Sequence, residues 1–159
     1  MKLLDLVRPD GIIAELEATE RNGAVRELAE ALVANGQLRP EQLDAVTKSI
    51  IARERTRGTT GFGKGAAVPH AKLEGLARVV AAVGRSSRGI DFASLDGKPV
   101  YTVFLILSPS EQPEEHLKAM DLVFRRLHSE QFRKFLRQSD TQDKLYDLLK
   151  EADEQPLLK

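Results

Sequence analysis

The chain contains no cysteine. Disulfide frameworks, cysteine-ligated metals and thiol nucleophiles are thereby excluded. It also lacks an excess of charge of either sign, because 24 Lys and Arg balance 24 Asp and Glu. A nucleic-acid binder normally carries a basic surplus, so no nucleic-acid partner is expected. No stretch approaches the roughly 20 apolar residues of a membrane-spanning helix. The longest strongly apolar stretch, Val100 to Leu107, has the length of a strand. The first residues, Met1-Lys-Leu-Leu-Asp5, reach an acid at once and show no signal-peptide pattern. A cytoplasmic protein without membrane insertion is expected. Internal repeats and low-complexity linkers are missing as well, so residues 1–159 are taken as a single domain.

Apolar residues make up 42% of the chain and charged residues 30%, a profile suited to one packed core. Leu3 to Val7 reads as a short helix ending before Pro9, and Gly11 to Leu16 as a strand. Val25, Leu28, Leu32 and Val33 recur at the helical period, which predicts a helix over Asn22 to Ala34 stopped by Gly36. A second helix, opened by Pro40 and carrying Leu43, Val46, Ile50 and Ile51, is expected to reach about Arg53. A glycine-rich loop, Gly58 to Gly65, leads to the short apolar segment Ala66 to Val68 and then to Pro69 and His70. Arg78 to Val83 and Val100 to Leu107 read as strands, separated by the Asp96-Gly97 turn. A helix over Pro113 to Leu127 is expected to bury Leu117, Met120, Phe124 and Leu127. Two short helices follow, one around Phe132, Phe135 and Leu136, the other around Leu145 to Leu149 and opened by a Ser139-x-x-Gln142 cap. Helices and strands are mixed, so the fold class is α/β, with helices packed on one sheet.

Histidine is the side chain most often recruited for nucleophilic and acid–base work near neutral pH. The chain has three: His70, His116 and His128. Pro69 fixes its own φ and restricts its neighbour, so a stiff backbone aims the His70 imidazole. Such aim suits a nucleophile that must meet a phosphorus in line; the alternative is an inert loop histidine. His116 falls in the first turn of the Pro113 helix, either as a surface residue or as a second imidazole at a shared site. His128 falls at the other end of that helix, where a positive charge suits the helix dipole. No H-E-x-x-H pattern or i, i+4 histidine pair exists, so no metal is expected. Gly58-Thr-Thr-Gly-Phe-Gly-Lys-Gly65 nearly spells a nucleotide-binding loop, but Gly65 stands where Ser or Thr would hold magnesium. The loop instead offers backbone N–H groups and the hydroxyls of Thr59 and Thr60 to an anion.

The segment Thr60-Gly-Phe-Gly-Lys-Gly-Ala-Ala-Val-Pro-His70 resembles the active-site segment of the fructose/mannitol-type enzyme IIA domain of the phosphotransferase system, including its nitrogen-regulatory branch. The resemblance continues through Gly89-Ile-Asp-Phe-Ala-Ser-Leu-Asp-Gly-Lys-Pro-Val100, the strand Val103 to Pro109 and the helix start Glu115-His116-Leu117. His70 and His116 stand 46 positions apart, as the family's two histidines do. The resemblance implies a mixed sheet flanked by helices on both sides. It implies that His70 takes a phosphoryl group from an HPr-like phosphocarrier protein, with no cofactor beyond that group. His116 would touch the phosphoryl oxygens and Arg53 would help to neutralise them. Arg53 stands 17 positions before His70, one more than the usual pattern, which leaves Arg55 and Arg57 as alternatives. Thr59, Thr60, Gly61 and Gly63 are the expected phosphoryl-stabilising loop residues. Downstream partners would be a IIB protein in sugar uptake, or regulated enzymes, kinases or transporters. With no cysteine for a phosphocysteine IIB domain and no membrane-spanning part, the regulatory, nitrogen-type role is the expected one. The alternatives are a IIA relay to a separate IIB protein and an interaction domain that no longer takes phosphate.

Overall fold

A computed structural model describes residues 1–156; residues 157–159, the end of the expected domain, lie outside the described residues. In chain order the elements are α1 (Leu3–Leu6), β1 (Val7–Ile13), α2 (Arg21–Ala34), a single 3₁₀ turn (Pro40–Gln42) and α3 (Leu43–Arg57). Next come β2 (Gly61–Gly63), β3 (Ala66–Ala67), β4 (His70–Leu73), β5 (Val80–Ile90) and β6 (Val100–Pro109). Three helices close the chain: α4 (Pro113–His128), α5 (Glu130–Gln138) and α6 (Gln142–Asp153).

The sheet is mixed, in the order β1-β5-β6-β3-β2. Strands β3 and β4 both run parallel to β6, one after the other along the same side. Pro69 interrupts them because it has no N–H for the ladder, although its carbonyl still accepts from Ile106 N at 3.0 Å. Successive β6 residues point to opposite faces, and both faces are covered. Phe104 and Ile106 join the core under α1, α4, α5 and α6, whereas Val103, Leu105 and Leu107 join the core under α2 and α3. A strand buried on both sides reads as the continuous apolar run seen in the sequence. The expected helices on both faces of one mixed sheet are therefore present.

Several expected boundaries are corrected. The first strand begins at Val7 and ends at Ile13, and its register against β5 shifts between Val7 and Ile12. Pro9 sits in that irregular stretch, where a missing ladder bond does least harm. Strand β5 runs seven residues past Val83, because Arg85-Ser-Ser-Arg88 stays paired with β6 or in line with it despite its polarity. Helix α3 runs four residues past Arg53, through charged residues that leave no apolar period to read. Thr141, not Ser139, caps α6 by accepting from Lys144 N at 3.1 Å; the Ser139 hydroxyl donates back to Phe135 O at 2.7 Å. On α4 the buried stripe is His116, Ala119, Leu122, Val123 and Leu127, and Leu117 is 66% exposed. A turn of one residue around the helix thus puts His116, rather than Leu117, against the sheet.

Candidate active site

The two expected histidines meet at the sheet edge formed by β4. His70 opens β4, opposite Ile106 of β6, and Lys72 stands opposite Ser108. Residues two apart on a strand share a face. His70 and Lys72 therefore lie on the face covered by α4, whose first turn supplies His116. The two rings are 5.5 Å apart between centroids and inclined at 47°. His70 is 9% exposed and His116 is 6% exposed, so each ring shows only a margin to solvent.

Each ring is held through Nδ1. His70 Nδ1 lies 2.8 Å from Val68 O, the carbonyl two residues earlier across Pro69. A carbonyl can only accept, so Nδ1 carries the proton and the neutral ring keeps its lone pair on Nε2. His116 Nδ1 lies 2.7 Å from the hydroxyl of Ser108, which is fully buried. When that hydroxyl donates, the His116 proton is placed on Nε2. The Val68 carbonyl fixes an acceptor at His70 Nε2, and a donating Ser108 hydroxyl leaves a donor at His116 Nε2.

Burial, and then neighbouring positive charge, favours the neutral form of both. Burial is the largest cause lowering the pKa of His70; Arg53 and Lys72 lower it further, against the Val68 hydrogen bond and Glu54, which raise it. His116 is pushed down to about 4, first by burial and then by the charges of His70, Lys72 and Arg53. Of the three candidate arginines, Arg53 is the one whose charge acts on both rings. Lys72 was missed because no strand was expected between Val68 and Arg78, so no alternation could be inferred there. Ser108 was missed because its partner is eight residues away across the turn into α4.

The loop residues are placed differently from the expectation. Thr60 gives both its N–H and its hydroxyl to the carboxylate of Glu54, which is 4% exposed. Thr59 donates its hydroxyl to Phe92 O at 2.9 Å and accepts from Gly61 N at 3.0 Å. A Cβ on Gly61 would lie 2.6 Å from the Ser94 hydroxyl, so the glycine there permits close packing. These groups brace the loop, and Thr60 O in turn accepts from Val68 N at 3.2 Å, fixing the peptide that holds His70. The threonine hydroxyls and the Gly61 N–H therefore support His70 through the backbone. They are not open donors, which corrects the expectation for them. Gly63 has φ +104 and packs beside Asp96. His128 is exposed at the far end of α4, about 18 Å along the axis from His116. Among the described residues no three His, Asp or Glu side chains converge as a metal site, and no helix is long and apolar enough to cross a membrane.

A depressed histidine pKa makes stability depend on pH with a definite sign. Between about 4 and the unfolded value near 6.5, the unfolded chain binds more protons at His116 than the folded one. Stability from this group is complete above about 6.5 and falls as pH drops towards 4. The loss amounts to about 2–3 kcal/mol, with His70 adding in the same direction. Urea midpoints measured from pH 7 to pH 4.5 will show this decline, and His116→Asn will flatten it. An equal slope in the variant would assign the decline to other groups.

Residues 5–152 match the family described as "Phosphoenolpyruvate-dependent sugar phosphotransferase system, EIIA 2". The chain is 36% identical over 149 residues to a nitrogen regulatory protein of Bradyrhizobium diazoefficiens, covering 94% of this chain and 95% of that one. It is 34% identical to a PTS system fructose-specific EIIA component of Haloferax volcanii, covering 83% and 84% of the two chains. The crystal structure of nitrogen regulatory protein IIA-Ntr from Neisseria meningitidis shares the fold, with a TM-score of 0.80 at 24% identity over 91% of this chain and 97% of that one.

Proposed function

The chain belongs to the EIIA 2 family of the phosphoenolpyruvate-dependent sugar phosphotransferase system, and from that membership we propose that it is a histidine phosphocarrier charged at His70. The observation that carries this reading is the pair of adjacent imidazoles, 5.5 Å apart, each held through Nδ1: His70 on Val68 O and His116 on Ser108 Oγ.

The His70 Nε2 lone pair attacks the phosphorus of a phosphohistidine on a small HPr-like carrier protein. The new Nε2–P bond forms as the carrier's N–P bond breaks, and that electron pair returns to the carrier's imidazole. His116 Nε2–H donates to a phosphoryl oxygen, while Arg53 and Lys72 balance the incoming charge. Such transfer rests on positioning and charge stabilisation, so no resident cofactor or metal takes part in this reading. The proton stays on His70 Nδ1, donated to Val68 O. With that proton in place His70 leaves as a neutral imidazole, which readies the group for onward transfer. The reaction is that of a cytoplasmic phosphoryl relay.

The 36% identity to a nitrogen regulatory protein over nearly the whole of both chains supports a regulatory module, whose phosphorylation state sets its binding to regulated enzymes, kinases or transporters. The fructose-specific relative supports a second reading, relay to a IIB protein in sugar uptake. Incubation with phosphoenolpyruvate, enzyme I and an HPr-like carrier, followed by intact-mass measurement, tests the shared step. One acid-labile, alkali-stable phosphoryl group is expected, and only when the carrier is present. Labelling by ATP alone would refute the mechanism. Transfer from the charged protein to a IIB protein would then select the uptake reading.

A further inference from the structure

On the same face as the histidines, at the other end of β6, lies a cleft of about 600 Å³ lined by Lys64, Thr102, Glu130, Arg133, Lys134 and Arg137. Thr102 precedes Ile106, the partner of His70, by four residues, which puts the cleft about 13 Å along the strand from the phosphoryl site. It contains neither histidine. Four cations face one carboxylate in this space, although the chain as a whole has no net charge. Seven ion pairs occur among the described residues, and none of them uses Lys64, Arg133, Lys134 or Arg137. Neutralisation within the fold thus does not explain the cluster.

Two of the cations are held in place by other contacts. The Arg137 guanidinium lies 3.5 Å over the Tyr101 ring. Arg133 Nη1 donates to Leu127 O at 2.6 Å. Both keep further N–H donors, and a fixed guanidinium loses little freedom on meeting an anion. Lys64 adds an independent sign. It occupies the tip of the β2–β3 hairpin with φ +62, followed by Gly65 with φ +78. Such a turn favours Asn, Asp or Gly at its first central position, and a lysine there is strained. Backbone strain of this kind clusters at ligand-binding positions.

We propose that this cleft binds a small polyanion carrying two or more phosphate groups. Its volume is that of a small-molecule site, and four clustered cations suit a compact, multiply charged ligand better than a single carboxylate. Calorimetry of the full chain at low salt without magnesium, with inorganic tripolyphosphate and ADP as probes, tests the proposal. Binding of either probe at one site is expected, weakening as salt rises. Tripolyphosphate binding the tighter would mark an inorganic source, and ADP the tighter a nucleoside phosphate. Lys64→Asn, which relieves the turn strain and so keeps the fold, should weaken binding about tenfold, and Lys134→Gln should do the same. Both variants should still be charged at His70, which separates this site from the proposed phosphocarrier function. No binding of either probe, affinity unchanged in both variants, or tighter binding of a hexaglutamate peptide would overturn it; the last would make the cleft a contact for acidic protein segments.

Discussion

Alanine at position 70 leaves a folded chain that takes no phosphoryl group from the charged carrier. The substitution removes the Nε2 lone pair left free by the Nδ1–Val68 contact, and nothing beside it can replace that function. Ser108 is fully buried with its hydroxyl on His116. His116 Nδ1 is occupied, and its pKa, pushed down to about 4, reflects a ring that burial first, and then the cationic surroundings of Lys72 and Arg53, keep from binding a proton. The loss of labelling should be complete, whereas the cost to stability should be only about 1–2 kcal/mol, the order expected for one side chain and its hydrogen bond. Circular dichroism checks the fold and intact mass checks the labelling. His128→Ala, at an exposed helix end, serves as the control and should label as the unaltered chain does. Labelling retained in His70→Ala would assign the chemistry to another residue.

The second large effect is at His116. The ring is proposed to donate from Nε2 to the transferring group, and one such placed donor is worth about 2.7–4 kcal/mol, or roughly 10²–10³ in rate. His116→Ala should therefore slow transfer by that factor and still show the label at His70 after long incubation. His116→Gln offers an amide N–H in place of the imidazole donor and should recover part of the rate. Ser108→Ala leaves the ring but frees its proton to sit on either nitrogen. A smaller loss of about tenfold is expected, the worth of one neutral hydrogen bond. Rapid-quench transfer from the phosphorylated carrier measures all three. Equal rates in His116→Ala and the unaltered chain would remove His116 from the mechanism and leave His70 with Arg53 and Lys72.

The pair of histidines was legible through the family resemblance; the stiff approach at Pro69 and the helix start at Pro113 placed each residue but left an inert reading open for both. The strand Val100 to Leu107 was equally plain, since burial on both faces writes a continuous apolar run. What escaped was set by tertiary contacts. The polar half of β5 is held by pairing to β6 and by Arg85, which reaches Arg137 O at 2.7 Å and Ala14 O at 3.2 Å. Helical periodicity alone placed Leu117 in the core, but the face that packs on the sheet carries Ala119, Leu122, Val123 and Leu127, which brings His116 inward to Ser108. Nothing in the local sequence assigns Glu54 a partner, and only its position over the loop shows it receiving both donors of Thr60. That same contact is why the threonine hydroxyls, open donors on paper, are already engaged.

The most direct test of the central claim is the identity of the phosphorylated nitrogen. Imidazole ¹⁵N resonances of the charged protein, assigned through long-range couplings to the ring protons, distinguish Nδ1–P from Nε2–P. With His70 Nδ1 held on Val68 O, the phosphorus must appear on Nε2 of His70, and the Nδ1 proton must remain in place. Phosphorus on Nδ1 of His70, or on His116, would contradict the account.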